Sequence, residues 1–140
     1  MKAEVNWIEK LKLEGKSEKG HKILMDSVPG DGISEGPTPK ELVLHALAGC
    51  TMMDVITILQ KQRKNIKKFW LELEGELAKE HPKVFTKINV KYNFKSPDLD
   101  EASARKAIEL SRDKFCAVSN MINKTAEIAY TLEINKNKIQ

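Results

Sequence analysis

Cysteine is scarce: two residues in a chain of 140, accompanied by three histidines. His21, His45 and His81 are too scattered to specify a metal site, and two cysteines with separated histidines match no zinc spacing. No metal and no other cofactor is expected. The chain also lacks an internal repeat, a linker, a low-complexity tract and a lipidation motif, and its start, Met-Lys-Ala-Glu-Val-Asn-Trp, carries no apolar signal region. These absences predict a single cytoplasmic domain over residues 1–140. In that compartment both thiols are kept reduced, and a bond between them would be transient and chemical rather than structural. The glycine-rich stretch from Pro29 to Pro37 has neither the glycine spacing nor the lysine of a phosphate cradle, so it reads as a connecting loop. Neither cysteine has the local histidine and asparagine signature of a protease or transferase.

With 41% hydrophobic and 31% charged residues, the chain has enough apolar material for a core. The net charge of +4 comes from lysines spread among glutamates, the pattern of a solvated surface, and no nucleic-acid partner is expected. The stretch around which everything else is arranged runs from Thr38 to Leu59. Thr38 caps its first turn, Pro39 suits the first helical position, and Glu41 completes a capping box. From Leu42 onward it is apolar almost all round, broken only by His45, two threonines and Asp54, which predicts a long buried central helix. His45 and Asp54 near the middle argue against a membrane span.

Ahead of this helix, Ala3, Val5 and Trp7 alternate with polar residues, Leu11 and Leu13 continue the alternation, and Ile23 to Met25 follow, fitting two or three short strands. Gly15 to His21 reads as a hairpin tip. Beyond the helix, Phe69, Leu71 and Leu73 begin a strand ending near Leu77. Thr86, Ile88, Val90, Tyr92 and Phe94 then face one way while Lys87, Lys91 and Lys95 face the other, making a hairpin with one wet face. Ser96 to Glu101 starts an amphipathic helix that ends near Phe115, a short helix follows Cys116, and Ile128 to Ile134 form a closing strand. The class is α+β. A helix apolar on every face needs more cover than this chain supplies, so a second copy in a two-fold dimer is expected.

Thiolate chemistry requires a helix N-terminus, a cation or a hydrogen-bond donor beside the sulfur. Cys116 at a helix start meets that condition. Cys50 lies mid-helix and needs a neighbour from elsewhere, such as the basic turn around Lys16, Lys19 and His21. If the fold joins the two sulfurs, a two-cysteine peroxide cycle is open to them; plain packing of two buried thiols is the alternative.

The run Pro37-Thr-Pro-Lys-Glu-Leu-Val-Leu-His-Ala-Leu-Ala-Gly-Cys50, followed by Phe115-Cys116-Ala-Val-Ser-Asn120, resembles the OsmC/Ohr family of osmotically induced and organic-hydroperoxide-resistance proteins, over nearly the whole chain. The resemblance implies an intertwined homodimer whose long central helices are wrapped by antiparallel sheets. It also implies that Cys50 attacks the peroxide and Cys116 resolves it. The activity implied is that of a stress-related, thiol-dependent peroxidase preferring organic hydroperoxides and recharged by dithiols such as lipoylated proteins. Active members pair an N-terminal arginine with a glutamate directly after the proline of the helix start. Here Lys40 holds that position, Glu41 comes one residue later, no arginine precedes Arg63, and Ala117 follows Cys116 where proline is usual. Lys16, Lys19 or Lys40 would have to supply the missing charge, without the planar fork of a guanidinium. A binding or stress-associated protein that kept the fold and lost efficient turnover is the second reading.

Overall fold

The computed structural model describes residues 1–136. The chain divides into two compact units, Met1–His45 and Ala46–Gln140.

In the first unit, β1 (Ala3–Glu9), β2 (Lys12–Ser17) and β3 (Lys22–Met25) form an antiparallel sheet in that order. The hairpin tip expected over Gly15 to His21 is narrower in the structure, since Gly15 to Ser17 belong to β2: the Ser17 amide donates to the His21 carbonyl, and Gly20 turns the chain at φ +87°. Asp26 ties down the following loop, its carboxylate accepting from the backbone amides of Ser27 and Glu35, while Lys12 pairs with Glu35. Gly36 passes so close to β3 that a Cβ there would stand 2.4 Å from the Leu24 carbonyl oxygen. Val5, Trp7, Ile8 and Ile23 of the sheet are exposed, as is Leu11 in the turn between β1 and β2, while Leu13, Leu24 and Met25 are half-buried.

The helix α1 (Pro39–Lys61) starts where its capping residues predict. The Glu41 amide donates to Thr38 Oγ1, and the Thr38 hydroxyl donates to Glu41 Oε1. Within one chain its burial is confined to the stripe Leu47, Thr51, Val55 and Leu59, whereas the sequence predicts cover on every side. Met53 is 72% exposed, and Val43 and Ile56 are open as well. The reason is geometric: four residues at a spacing of four make one ridge, and one sheet covers one ridge.

In the second unit, β4 (Lys68–Leu77) and β5 (Phe85–Lys95) pair antiparallel. Then come α2 (Glu101–Leu110), a single π-helical turn (Ser111–Phe115), α3 (Ala117–Ile122) and β6 (Glu127–Ile134). The sheet order is β4-β5-β6, but β6 lies parallel to β5. The antiparallel pairing implied by the resemblance holds for the other strand pairs and gives way only here among the described residues. The segment between the two strands is long and helical, so it carries the chain back across the sheet and lets β6 enter in the same direction as β5.

Ile88, Val90, Tyr92 and Phe94 of β5 form the buried face with Ala104, Ala107 and Ile108 of α2. Phe94 stacks on Phe69 at 4.3 Å between ring centroids. The opposite face is less wet than the alternation predicts: Asn93 is buried and donates to Glu72, and Lys91 is paired with Glu72 and Glu133. At one end of the sheet Ser96 is buried, its hydroxyl donating to the Asn65 carbonyl at 2.6 Å and its amide donating to Asn135 Oδ1. Asp100 caps α2 by accepting from the Ser103 amide, so α2 begins at a fixed point.

Phe94→Ala, which empties the most buried ring of this sheet, is expected to cost about 3–5 kcal/mol of stability. Urea unfolding checks this, with a lowered midpoint at an unchanged slope.

Candidate active site

The second unit brings the two cysteines together. Cys50 projects from the middle of α1, beside the buried stripe that carries Thr51. One helical turn further on, Asp54 lies on the same side of the helix, because residues four apart are neighbours on a helix surface. Cys116 arrives from the crossover. The π-helical turn before it closes with the Cys116 amide donating to the Ser111 carbonyl at 2.7 Å, and Cys116 itself is extended at φ −74°, ψ 103°. Extended backbone ends one helix and caps the next, so Cys116 becomes the N-cap of α3, and its sulfur accepts from the Ser119 amide at 3.3 Å.

The loop is held from below. Asn120 Nδ2 donates to the Cys116 carbonyl at 2.8 Å and to the Arg112 carbonyl at 3.2 Å, and the Ser119 hydroxyl donates to the Arg112 carbonyl. Thr51 Oγ1 stands 3.6 Å from Cys116 Sγ. The sulfurs of Cys50 and Cys116 and a carboxylate oxygen of Asp54 all lie within 4.8 Å of one another. Both thiols are free. Asp54 Oδ2 accepts from the Ser111 hydroxyl at 2.9 Å. Length and composition alone would let α1 cross a membrane, with a mean hydropathy of 1.9 over its most apolar window. The carboxylate that interrupts its apolar run is instead engaged by this serine.

The two sulfurs are not equivalent. Burial pushes the Cys116 thiol up, but the Cys50 thiol, the Ser119 amide and the Thr51 hydroxyl all hydrogen-bond to its anion, and together they hold it below its ordinary value. Cys50 goes the other way. Burial raises it first; a hydrogen bond from the Val118 amide works against that, and the Cys116 sulfur and the Asp54 carboxylate add their negative charge to the rise. The negative charge is therefore favoured on Cys116 over Cys50. Cys116 is fully buried and Cys50 half-buried, so the protonated sulfur is the one with access to solvent.

Tyr92 and Tyr130 wall the site, edge to face at 5.7 Å between centroids, and Arg112 lies over the Tyr130 ring at 5.7 Å while donating to Asp113. Burial pushes the Tyr92 phenol well up, so it stays neutral. The enclosed space between Thr51, Ser119, Tyr92, Arg112 and Tyr130 is about 10 Å³, room for one water and no ligand.

Of the residues singled out from sequence, Cys50 and Cys116 meet. Lys40 is exposed and Glu41 is occupied in capping, both in the first turn of α1. Thr51, Asp54, Ser111 and Ser119 surround the sulfurs; only Ser119 lies in a sequence motif, the segment Phe115–Asn120, and the sequence assigns none of them a role. Asp54 has a trace in the sequence, as a carboxylate interrupting an apolar run four residues after a cysteine. As a metal site, the two sulfurs and one carboxylate supply three ligands, one short of the four of a closed structural zinc site.

The sequence matches the family described as OsmC-like protein over residues 30–131. It is 39% identical to Protein YhfA of Escherichia coli (strain K12), over 96% of this chain and 98% of that one. A hypothetical protein from Aquifex aeolicus VF5 superposes with a TM-score of 0.80 at 25% identity, covering 96% of this chain and 97% of the other. The organic hydroperoxide resistance protein OhrB of Bacillus subtilis superposes with a TM-score of 0.63 at 19% identity over 95% and 98% of the two chains, a likeness of fold.

Titration of thiolate ultraviolet absorbance is expected to show two steps. Cys50→Ser retains the lower one and Cys116→Ser the higher one; the reverse assignment would contradict the site as described. Since folding lowers the Cys116 pKa, its contribution to stability is complete above the unfolded thiol value of about 8.5 and is lost as pH falls through the folded value.

Proposed function

The chain belongs to the OsmC-like protein family, and on that footing we propose that it is a thiol-dependent hydroperoxide reductase working through Cys50 and Cys116. The observation that carries this reading is the meeting of two free thiols, from elements distant in sequence, within 4.8 Å and with opposite proton preferences. Plain packing requires neither the donors around Cys116 nor the carboxylate beside Cys50.

The cycle follows from who holds the proton. Cys50 Sγ attacks the terminal oxygen of ROOH; the S–O bond forms, the O–O bond breaks, and the Cys50 proton is passed on so that ROH leaves. Cys50 is now a sulfenic acid. The Cys116 thiolate attacks its sulfur; the S–S bond forms, the S–O bond breaks, and hydroxide departs to be protonated by solvent. A resolving thiol whose anion is held by donors is suited to this second step. A dithiol, such as a lipoylated protein, returns both sulfurs to the reduced state by exchange. The cycle belongs in a compartment that keeps thiols reduced, the cytoplasm.

The family's arginine and glutamate are missing from their places, and the donors at this site, the Ser119 amide and the Thr51 hydroxyl, serve the anion of Cys116. Exposed apolar residues near the thiols in sequence, Met53 after Cys50, Phe115 before Cys116 and Met121 on α3, suit a substrate with a hydrocarbon arm. They also call for cover. With Met53 and Ile56 open on α1 and the first sheet uncovered, a second copy of the chain is the partner that fits.

Steady-state reduction of cumene hydroperoxide, driven by a dithiol, is the test. Turnover is expected with the native chain, faster than with hydrogen peroxide and lost in Cys50→Ser; turnover that persists without Cys50 would overturn the assignment. Light scattering at micromolar concentration is expected to give twice the chain mass, and the mass of a single chain would remove the dimer.

A further inference from the structure

We propose that Asp54 is the group that takes the Cys50 proton as Cys50 forms its bond to the peroxide oxygen and hands it to the departing alkoxide, and that Ser111 positions it. The inference rests on the hydroperoxide cycle set out above and names the proton carrier which that cycle requires.

Cys50 is the thiol that solvent can reach, and it holds its proton at rest. A protonated thiol is a weak nucleophile, so attack needs a base within direct or one-water reach. The candidates around Cys50 are few. Cys116 Sγ is one, but protonating it would remove the thiolate that the second step consumes. Tyr92 on β5 is neutral, and Arg112, which follows Ser111, is committed to Asp113 and the Tyr130 ring; neither accepts a proton. Asp54 remains. Its carboxylate lies within 4.8 Å of both sulfurs, one turn from Cys50 on a rigid helix.

One oxygen of that carboxylate is already engaged. Ser111 is fully buried and donates its hydroxyl to Oδ2 at 2.9 Å. This bond fixes the carboxylate's rotation and leaves its remaining acceptor capacity for the thiols. The serine is placed by the same π-helical turn that presents Cys116, because the Ser111 carbonyl closes that turn and its side chain sits at the turn's first position. One backbone feature thus places both Cys116 and the serine that holds Asp54, while α1 carries Asp54 and Cys50. The proton balance closes: Cys50 S–H loses its proton to Asp54, the alkoxide takes it from Asp54, and the carboxylate is restored before the sulfenic acid is resolved.

A carboxylate beside a thiol has two opposite effects, and the experiment separates them. As a fixed negative charge alone, Asp54 would only hold the Cys50 proton on, and Asp54→Asn would react faster. As a proton carrier it makes the reaction independent of bulk hydroxide. The measurement is the stopped-flow rate of Cys50 oxidation by cumene hydroperoxide in the native chain, Asp54→Asn and Ser111→Ala, across neutral pH. The native rate is expected to be nearly flat. Asp54→Asn is expected to be slower by about 100-fold, with a rate that climbs about tenfold per pH unit. Ser111→Ala, which keeps the carboxylate, is expected to show a smaller loss with the flat profile retained. An Asp54→Asn rate equal to or above native, with an unchanged profile, overturns the proposal and leaves the hydroperoxide cycle standing. Thiol–disulfide exchange of Cys50 with Ellman's reagent reads the same proton transfer without peroxide. A native chain inert to the hydroperoxide, but showing this contrast in exchange, would refute the cycle and keep the proton carrier. The absence of any contrast in exchange would remove the carrier too.

Discussion

An ionised sulfur inside a protein persists only where hydrogen-bond donors stand in for the water it has lost, and the second unit is arranged to meet that demand at Cys116. The Ser119 amide, the Thr51 hydroxyl and the Cys50 thiol converge on a sulfur with no exposure at all. Each comes from a different constraint. Ser119 is available because Cys116 caps a helix and leaves an amide unpaired in its first turn. Thr51 is available because it occupies the one stripe of α1 that faces inward. Asn120 and the Ser119 side chain hold the backbone at Arg112 and Cys116, so the sulfur does not drift from its donors. Without these donors, burial alone would push the Cys116 thiol up.

Sequence patterns are enough for the elements and their order. The capping box at Thr38 fixes the start of α1 to the residue, and the alternation from Thr86 to Phe94 identifies the strand that lies at the centre of its sheet. The direction of β6 is not readable in this way. Alternation reports which face a strand buries, not which way it runs, and the choice between parallel and antiparallel is made by the crossover that delivers it. Asn93 escapes for a related reason: period-two alternation assigns a face to it, yet the cross-strand carboxylate of Glu72 and its neighbours on that face cover it.

The site is half legible. Cys50 and Cys116 stand out because cysteine is rare here, and the family resemblance joins them. Thr51 and Ser111 do not stand out, since serine and threonine are common and their role depends on distances across the fold; Ser119 lies in the motif around Cys116, but its amide donor does not depend on its side chain. Lys40 and Glu41 draw attention by analogy of position, while local physics gives Glu41 a different role, because a residue three after a helix cap reaches back to that cap more readily than forward. The all-round apolarity of α1 is plain from composition, but composition does not say which face finds a neighbour within the same chain.

The π-helical turn at Ser111–Phe115 has a meaning in terms of insertions and deletions. Such a turn accommodates one residue more than an α-helical turn would, and each residue of a helix advances the chain by about 100°. Deleting one of Arg112 to Phe115 would turn this wide turn into an ordinary α-helical one and take away the residue that the extra width absorbs. The shortened chain would retain both cysteines, Asp54 and Ser111. A gap at this place therefore changes the turn that presents Cys116 while every residue of the site is still present in the sequence.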